Sequence, residues 1–474
     1  MTGEINELYK EYFGCSPAAV VKLTGDGSNR AYYRLSGDEG TVIAAVGTSV
    51  EENLAFIALA DAFEKSGVPA PRVLAVSADN MCYLQEDLGD TSLFMAMKEA
   101  RENDCFGGED TELLCKVMSW LPHIQFGVPQ YFDFSLCYPV SEFNERTVMW
   151  DLNYFKYCFL KGVGVEFNES RLEDEFVKLS ALLLRENDNT FLYRDFQSRN
   201  VMLKDGIPYF IDFQGGRKGP IYYDVASFVG QSRAKYTPEV VERMVDAYLR
   251  SLSQYKCVDR GHFMQMLSLF RVFRLLQNLG TYGFRGLFER KKAFVESIPA
   301  ALELLRQLLA EAGGFEYISS LVEEIAALPM FVRSESKELT VDVMSFSYKR
   351  GIPDDISGNG GGFVFDCRAI HNPGRYEPYK KLTGMDEPVI RFLESESNIA
   401  EFLEHAYAMV DNMVDTYMKR GFTHIQVCCG CTGGRHRSVY SAEHIAHHVA
   451  KKFGVRVVVE HRMQNVRYVI ESRT

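Results

Sequence analysis

The sequence predicts two domains of different class. An α+β domain spans residues 1–332, a linker follows at 333–338, and an α/β domain with a mostly parallel sheet spans 339–474. Three observations point to this. A chain of 474 residues is too long for one ordinary core. The first part groups short strands ahead of a mainly helical stretch, whereas strands and helices alternate beyond residue 339. The charge is also unevenly placed. Residues 340–474 hold 17 Lys and Arg against 16 Asp and Glu, and the rest holds 35 against 48, so the negative excess of the chain lies in the first part. Such an acidic part argues against nucleic acid as its general partner.

Composition sets the broad class. A hydrophobic share of 46% with 24% charged residues describes a soluble globular protein. No apolar run approaches the ~18 residues of a membrane span. The start, Met1 to Glu7, has no basic and apolar leader pattern. Eleven cysteines without framework spacing suggest reduced thiols and a cytoplasmic setting.

In chain order, Leu23 to Leu35 reads as strand, glycine turn, strand. Gly25, Gly27, Ser28 and Asn29 sit in that turn, followed by Arg30 and Arg34. A glycine turn can drape backbone N–H groups over phosphates, although a plain hairpin reads the same way. Thr41 to Val46 is the next strand. Glu51 to Lys65 has helical periodicity and stops at Gly67-Val68-Pro69. Arg72 to Val76 and Met81 to Gln85 are two more strands, and the chain to about Met330 is mainly helical.

The densest chemistry lies between Phe191 and Phe213. Asp195, Asn200 and Asp212 there form the skeleton of a phosphoryl-transfer site. A carboxylate must take the proton of the attacking hydroxyl, and an amide oxygen and a second carboxylate must hold Mg²⁺. Val201 to Leu203 and Tyr209 to Ile211 read as strands around the turn signal Asp205-Gly206. Such a hairpin would hold Asn200 and Asp212 on one side of a cleft.

Tyr193-Arg-Asp-Phe-Gln-Ser-Arg-Asn200, Ile211-Asp-Phe-Gln214 and Gly219-Pro-Ile-Tyr-Tyr-Asp224-Val-Ala226 resemble the aminoglycoside and choline phosphotransferases, which have a protein-kinase-like bilobal fold. Within them the match looks closest to the anomeric kinases that phosphorylate N-acetylmuramate and N-acetylglucosamine in cell-wall recycling. The resemblance implies ATP and Mg²⁺ as cofactors, Asp195 as catalytic base, and Asn200 and Asp212 as metal ligands. It also implies a structural role for Asp224, and a nucleotide site built from the glycine turn, Arg30 and Glu86 at the connection between lobes. Tyr193 stands where many members have His, and the Thr41–Val46 strand lacks the lysine that kinases set against the phosphates. Arg30 and Arg34 are the candidate replacements.

In the second domain, Leu339–Ser345, Gly362–Arg368, His424–Cys429 and Val455–His461 read as strands, with helices at Asn398–Arg420 and Arg435–Phe453. Ligands of parallel sheets bind at the carboxyl ends of the strands. Cys431, Thr432, Gly433, Gly434, His436, Arg437 and Ser438 form a glycine loop that follows a strand and opens a helix, an arrangement that attracts anions. The same stretch fits Cys-x5-Arg-Ser of the cysteine phosphatases, and a structural turn is a third reading.

This loop, with the segments around Lys349, Arg368-Ala-Ile-His371 and His461-Arg462, resembles the C-terminal domain of RapZ, the RNase adapters that sense glucosamine-6-phosphate. The resemblance implies a sugar-phosphate site at Arg368, His371, Thr432, Gly433, Gly434, His436, Arg437, Ser438, His461 and Arg462. No Walker sequence precedes it, so a sugar-kinase-like domain takes the place of the Walker-type NTPase domain that the usual member of that family carries. His444, His447 and His448 share a helix face, and Cys428, Cys429 and Cys431 share a strand; neither set is expected to bind zinc. The first functional expectation is a sugar kinase with a fused sugar-phosphate sensor, with homo-oligomerisation left open. The second is a catalytically weak kinase-like module on an RNA- or protein-binding adapter.

Overall fold

The computed structural model describes residues 2–23, 30–328, 330–331, 339–353, 355 and 362–471. The predicted linker, and Gly25, Gly27, Ser28 and Asn29 of the glycine turn, lie outside the described residues. The chain divides after Leu328 into two compact units.

The first unit is α+β in two lobes, as expected. Helix α1 (Thr2–Phe13) precedes five antiparallel strands: β1 (Ala19–Leu23), β2 (Ala31–Gly37), β3 (Gly40–Val46), β4 (Val73–Val76) and β5 (Cys82–Glu86), in the order β1-β2-β3-β5-β4. Helix α2 (Val50–Lys65) begins where the Ser49 side chain accepts the Glu52 N–H, and it ends ahead of Gly67 at φ +74°. Its buried face carries Phe56, Leu59 and Phe63.

The helical lobe contributes α3 (Gly108–Gly127), α4 (Glu145–Tyr154), α5 (Tyr222–Val229), α6 (Pro238–Leu252) and α7 (Arg260–Tyr282). Between α4 and α5 lie two small ribbons. Strand β6 (Thr190–Leu192) pairs with β9 (Arg217–Gly219), which sets Leu192 opposite Arg217. Strand β7 (Val201–Lys204) pairs with β8 (Ile207–Phe210) through Asp205 and Gly206, both at positive φ, as a two-residue hairpin requires. The Ile211 N–H continues this ladder to the Asn200 carbonyl at 3.0 Å, so the open end of the hairpin presents Asn200 and Asp212 together.

The second unit is α/β with a mostly parallel sheet. Strands β10 (Thr340–Ser347), β11 (Gly362–Asp366), β12 (His424–Cys431) and β13 (Arg456–His461) are parallel in the order β11-β12-β10-β13. An antiparallel edge strand, β14 (Val466–Ile470), was not foreseen. Helices α8 (Ile399–Arg420) and α9 (Arg437–Phe453) join a core of Val341, Val343, Ile425, Val427, Val457 and Val459. Strand β11 stops two residues short of its expected end. The Asp366 carboxylate takes the Arg368 N–H at 2.9 Å and turns the chain.

All eleven cysteines are free thiols. Among the described residues no helix is long and apolar enough to cross a membrane.

Candidate active site

The loop after β6 is held from beneath. Asp224, fully buried on α5, takes the backbone N–H of Tyr193 at 2.7 Å and of Arg194 at 2.9 Å. Burial raises its pKa to about 7 against the pull of those two bonds. The Tyr193 hydroxyl donates to the Ile211 carbonyl at 2.5 Å, tying the loop to the hairpin. Tyr193 thus fills the place expected for His with a neutral donor. Arg194 sits at φ +75°, a strained conformation that delivers Asp195 to the loop tip.

Asn200 connects the acids. Its side-chain N–H₂ donates to the Asp195 carbonyl at 2.8 Å and to Asp212 Oδ2 at 3.3 Å. Gln214 donates to Asp212 Oδ1 at 2.8 Å. Asp212 is at φ +65°. Burial first, and the Asp195 charge second, raise its pKa. The next residue, Phe213, stacks on Phe56 at 4.8 Å and on Phe63 at 4.5 Å, both on α2. That stack seats the site under the five-stranded sheet.

The donor set fits a divalent cation. It consists of hard carboxylate and amide oxygens, and two neighbouring carboxylates gain from a shared positive charge.

Arg30 is buried at the start of β2. It donates to the Glu52 carbonyl at 3.1 Å, pairs with the Glu52 carboxylate at 3.4 Å and reaches the Tyr83 hydroxyl at 3.4 Å. Its charge also acts on Asp212. Arg34 lies elsewhere, bound to Asp87 at 2.7 Å and to Asp90 at 2.9 Å. Glu86 ends β5 with its carboxylate bound to the Arg72 Nε at 2.7 Å. Glu52 escaped sequence reasoning, and Gln214 was quoted in the motif without a role.

In the second unit the sheet register brings the expected segments to one edge. Ser347 is level with Cys431, Asp366 with Gly430, and Ser345 with His461. Thr432 and Gly433 are exposed there. Gly434, at φ +66°, has no room for a side chain: a Cβ would lie 2.9 Å from the Ser347 nitrogen. Its N–H donates to the Cys431 sulfur at 3.2 Å, and Ser438 lies 3.1 Å from the same atom. Burial raises the thiol pKa, but these contacts and the Arg437 charge lower it overall.

Most of the other expected residues have partners of their own within the unit. Arg437 is buried, and its Nη1 donates to the Arg368 and Ile370 carbonyls at 2.8 and 2.9 Å. His436 bonds the Tyr379 carbonyl at 2.9 Å. His461 is enclosed between Ser345 at 2.9 Å and Glu443 at 2.7 Å. His371 bonds the Glu396 carbonyl at 2.9 Å. Arg368 and Arg462 are exposed, Arg368 pairing with Asp366 at 2.6 Å. The three histidines of α9 have separate partners: His444 stacks on Tyr440, His447 lies near Glu443, and His448 bonds Asp411 at 2.9 Å.

Comparison with known proteins agrees with both units. The phosphotransferase enzyme family matches residues 146–259, and the RapZ C-terminal domain matches 339–465. A nucleotide-binding protein of Nitrosomonas eutropha is 34% identical over 218 residues, which cover 44% of this chain and 72% of the relative. One from Albidiferax ferrireducens is 35% identical over 163 residues, covering 33% and 51%. The chain spans about half the length of several further curated relatives. Among solved structures, choline kinase LicA from Streptococcus pneumoniae aligns over 65% of this chain and 99% of its own, at 12% identity and a TM-score of 0.45.

Proposed function

We propose a function from the premise that this chain belongs to the family of its curated relatives, the nucleotide-binding proteins, and joins a domain of the phosphotransferase enzyme family to a RapZ C-terminal domain. It is a kinase that moves the γ-phosphoryl group of ATP to a hydroxyl of a small acceptor, an N-acetylated amino sugar. Its second domain binds a sugar phosphate such as glucosamine-6-phosphate and regulates the first in the cytoplasm. The observation that carries this reading is the meeting of Asp195, Asn200 and Asp212 at the open end of one hairpin.

In the reaction, the Asp195 carboxylate takes the proton as the acceptor oxygen bonds the γ-phosphorus and the bridge to ADP breaks. Asn200 and Asp212 would hold Mg²⁺, which supplies charge neutralisation at the phosphate oxygens. Arg30, buried yet electrostatically felt at Asp212, adds positive charge on the sheet side. The neighbouring β3 has no lysine.

The test is ADP formation over a panel of N-acetylglucosamine, N-acetylmuramate, aminoglycosides and choline, with and without Mg²⁺. Turnover confined to amino sugars supports the reading. Turnover of choline or an aminoglycoside reassigns the acceptor. No turnover of any acceptor favours the alternative, a weak kinase-like module on a metabolite-sensing adapter that binds RNA or protein.

A further inference from the structure

The reacting centre joins two carboxylates, Asp195 and Asp212, through Asn200, so a phosphate chain brought there needs cations around it. Arg30, Arg194, Arg199 and Arg217 stand near, and their surroundings differ.

All but Arg199 are committed within the fold. Arg30 is held by Glu52 and Tyr83. Arg217 is 5% exposed and gives Nε and Nη2 to the Gly215 carbonyl at 3.2 and 3.1 Å. Arg194 and Arg217 line, with Trp150, Asp151 and Tyr223, a small cleft beside the loop, about 30 Å³ in volume. Such a space takes a water or two and excludes a phosphoryl group.

Arg199 lies in the single helical turn Ser198–Asn200, between Asp195 and β7. Its neighbours are buried and pinned. The Ser198 N–H and hydroxyl both donate to Gln231 Oε1, at 3.1 and 2.8 Å, and the Asn200 N–H donates to the Gln197 carbonyl at 2.9 Å. Arg199 itself is exposed. Among the described residues its side chain has no hydrogen bond or ion pair.

An exposed arginine on a turn is commonly just solvated, but two observations set this one apart. It adjoins Asn200, whose amide spans the Asp195 carbonyl and the Asp212 carboxylate. Its charge also acts on Asp212 more strongly than that of Arg30. Water screens an exposed charge more than a buried one, so the exposed Arg199 stands nearer to Asp212 than the buried Arg30 does. A guanidinium held near two carboxylates without joining either is left to a third anion.

We propose that Arg199 is a catalytic residue, the donor that meets the γ-phosphoryl group in transfer from the helical-lobe side. The inference rests on the kinase reading and adds the cation that acts on the reacting group itself. As the acceptor oxygen bonds the γ-phosphorus and the bridge to ADP breaks, charge spreads over the equatorial oxygens. The planar fork of Arg199 offers them parallel N–H donors. No proton leaves the guanidinium; the acceptor's proton goes to Asp195. ADP alone lacks these oxygens, so the contact favours the transfer over the product state.

The experiment uses the full chain with Mg²⁺ and three probes: ADP, the non-hydrolysable β,γ-imido analogue of ATP, and ADP with aluminium fluoride, a planar mimic of the phosphoryl group in transit. Calorimetry reads each on the wild type, Arg199→Ala and Arg199→Lys. Arg199→Ala should hold ADP as the wild type does and lose about 100-fold or more in affinity for the aluminium fluoride complex, the scale of one preorganised donor. The imido analogue should fall between. The kcat on whichever acceptor turns over should drop with the aluminium fluoride affinity. Arg199→Lys keeps the charge without the fork and should recover part of both.

Aluminium fluoride capture by Arg199→Ala as tight as in the wild type overturns the inference, and wild-type turnover beside it leaves the kinase reading standing. Equal loss of ADP and of the complex assigns Arg199 to the α- and β-phosphates and overturns it as well. A wild type that captures no aluminium fluoride and turns over no acceptor removes the kinase reading and this inference together.

Discussion

The side-chain amide of Asn200 lies 3.3 Å from Asp212 Oδ2. Its other hydrogen bond, to the Asp195 carbonyl, fixes which way the amide points. Both donors of Asn200 are thus engaged and its oxygen is the atom left to a cation. The two residues are twelve apart in sequence and adjacent only because the hairpin closes between them.

Replacing Asp195 with Asn removes the proton acceptor and keeps the side-chain shape. We expect kcat to fall about 100-fold or more, the usual contribution of a positioned base, with ATP affinity retained. Steady-state kinetics and calorimetry with ATP check this; wild-type turnover would remove the assignment.

Arg30→Ala takes the buried cation from beneath the sheet and leaves Glu52 without its partner. We expect kcat/KM for ATP to drop by about 10-fold or more, through lost stabilisation of phosphate charge. Arg34→Ala, which releases Asp87, Asp90 and the Gly89 carbonyl, should matter less. Equal effects of the two substitutions would assign Arg30 to packing alone.

Asp224 sets a pH dependence. Its folded pKa of about 7 lies above the ordinary value of 3.8, so the folded protein binds the proton more tightly than the unfolded chain. The stability this contributes is complete below about pH 4 and is lost as the pH rises towards 7. Asp224→Asn should flatten that slope in melting temperature. It should also cost about 1–3 kcal/mol, because one amide oxygen cannot serve both backbone N–H groups. A wild-type slope in the variant would show that another group carries it.

In the second unit, Arg437→Ala strips the Arg368 and Ile370 carbonyls of their common donor. We expect weaker binding of glucosamine-6-phosphate through displacement of that segment, together with a lower melting temperature. Cys431→Ser should keep the binding. Calorimetry on the full chain separates these outcomes. Phosphate release that vanishes in Cys431→Ser would instead establish the phosphatase reading of the loop.

How much was legible followed the spacing of the residues. Asp195, Asn200 and Asp212 lie within one short stretch, and the turn at Asp205-Gly206 announced the hairpin that joins them. The partners of Arg437 lie 67 and 69 residues away, so the brace it makes on a neighbouring segment could not be read from the anion-loop pattern. Trp150, Asp151 and Arg217 come from elements with no local pattern in common, and only the fold brings them to one cleft. Strand β14 is short, largely open to solvent, and carries little of the apolar alternation that marks a strand.

Because Asp224 holds both the Tyr193 and Arg194 amides from inside the core, the loop that carries Asp195 cannot loosen without opening α5. Its ordering belongs to folding and not to ligand capture. Acceptor association should therefore carry little configurational entropy from this loop, and its heat-capacity change should reflect only the surface that the ligand itself covers.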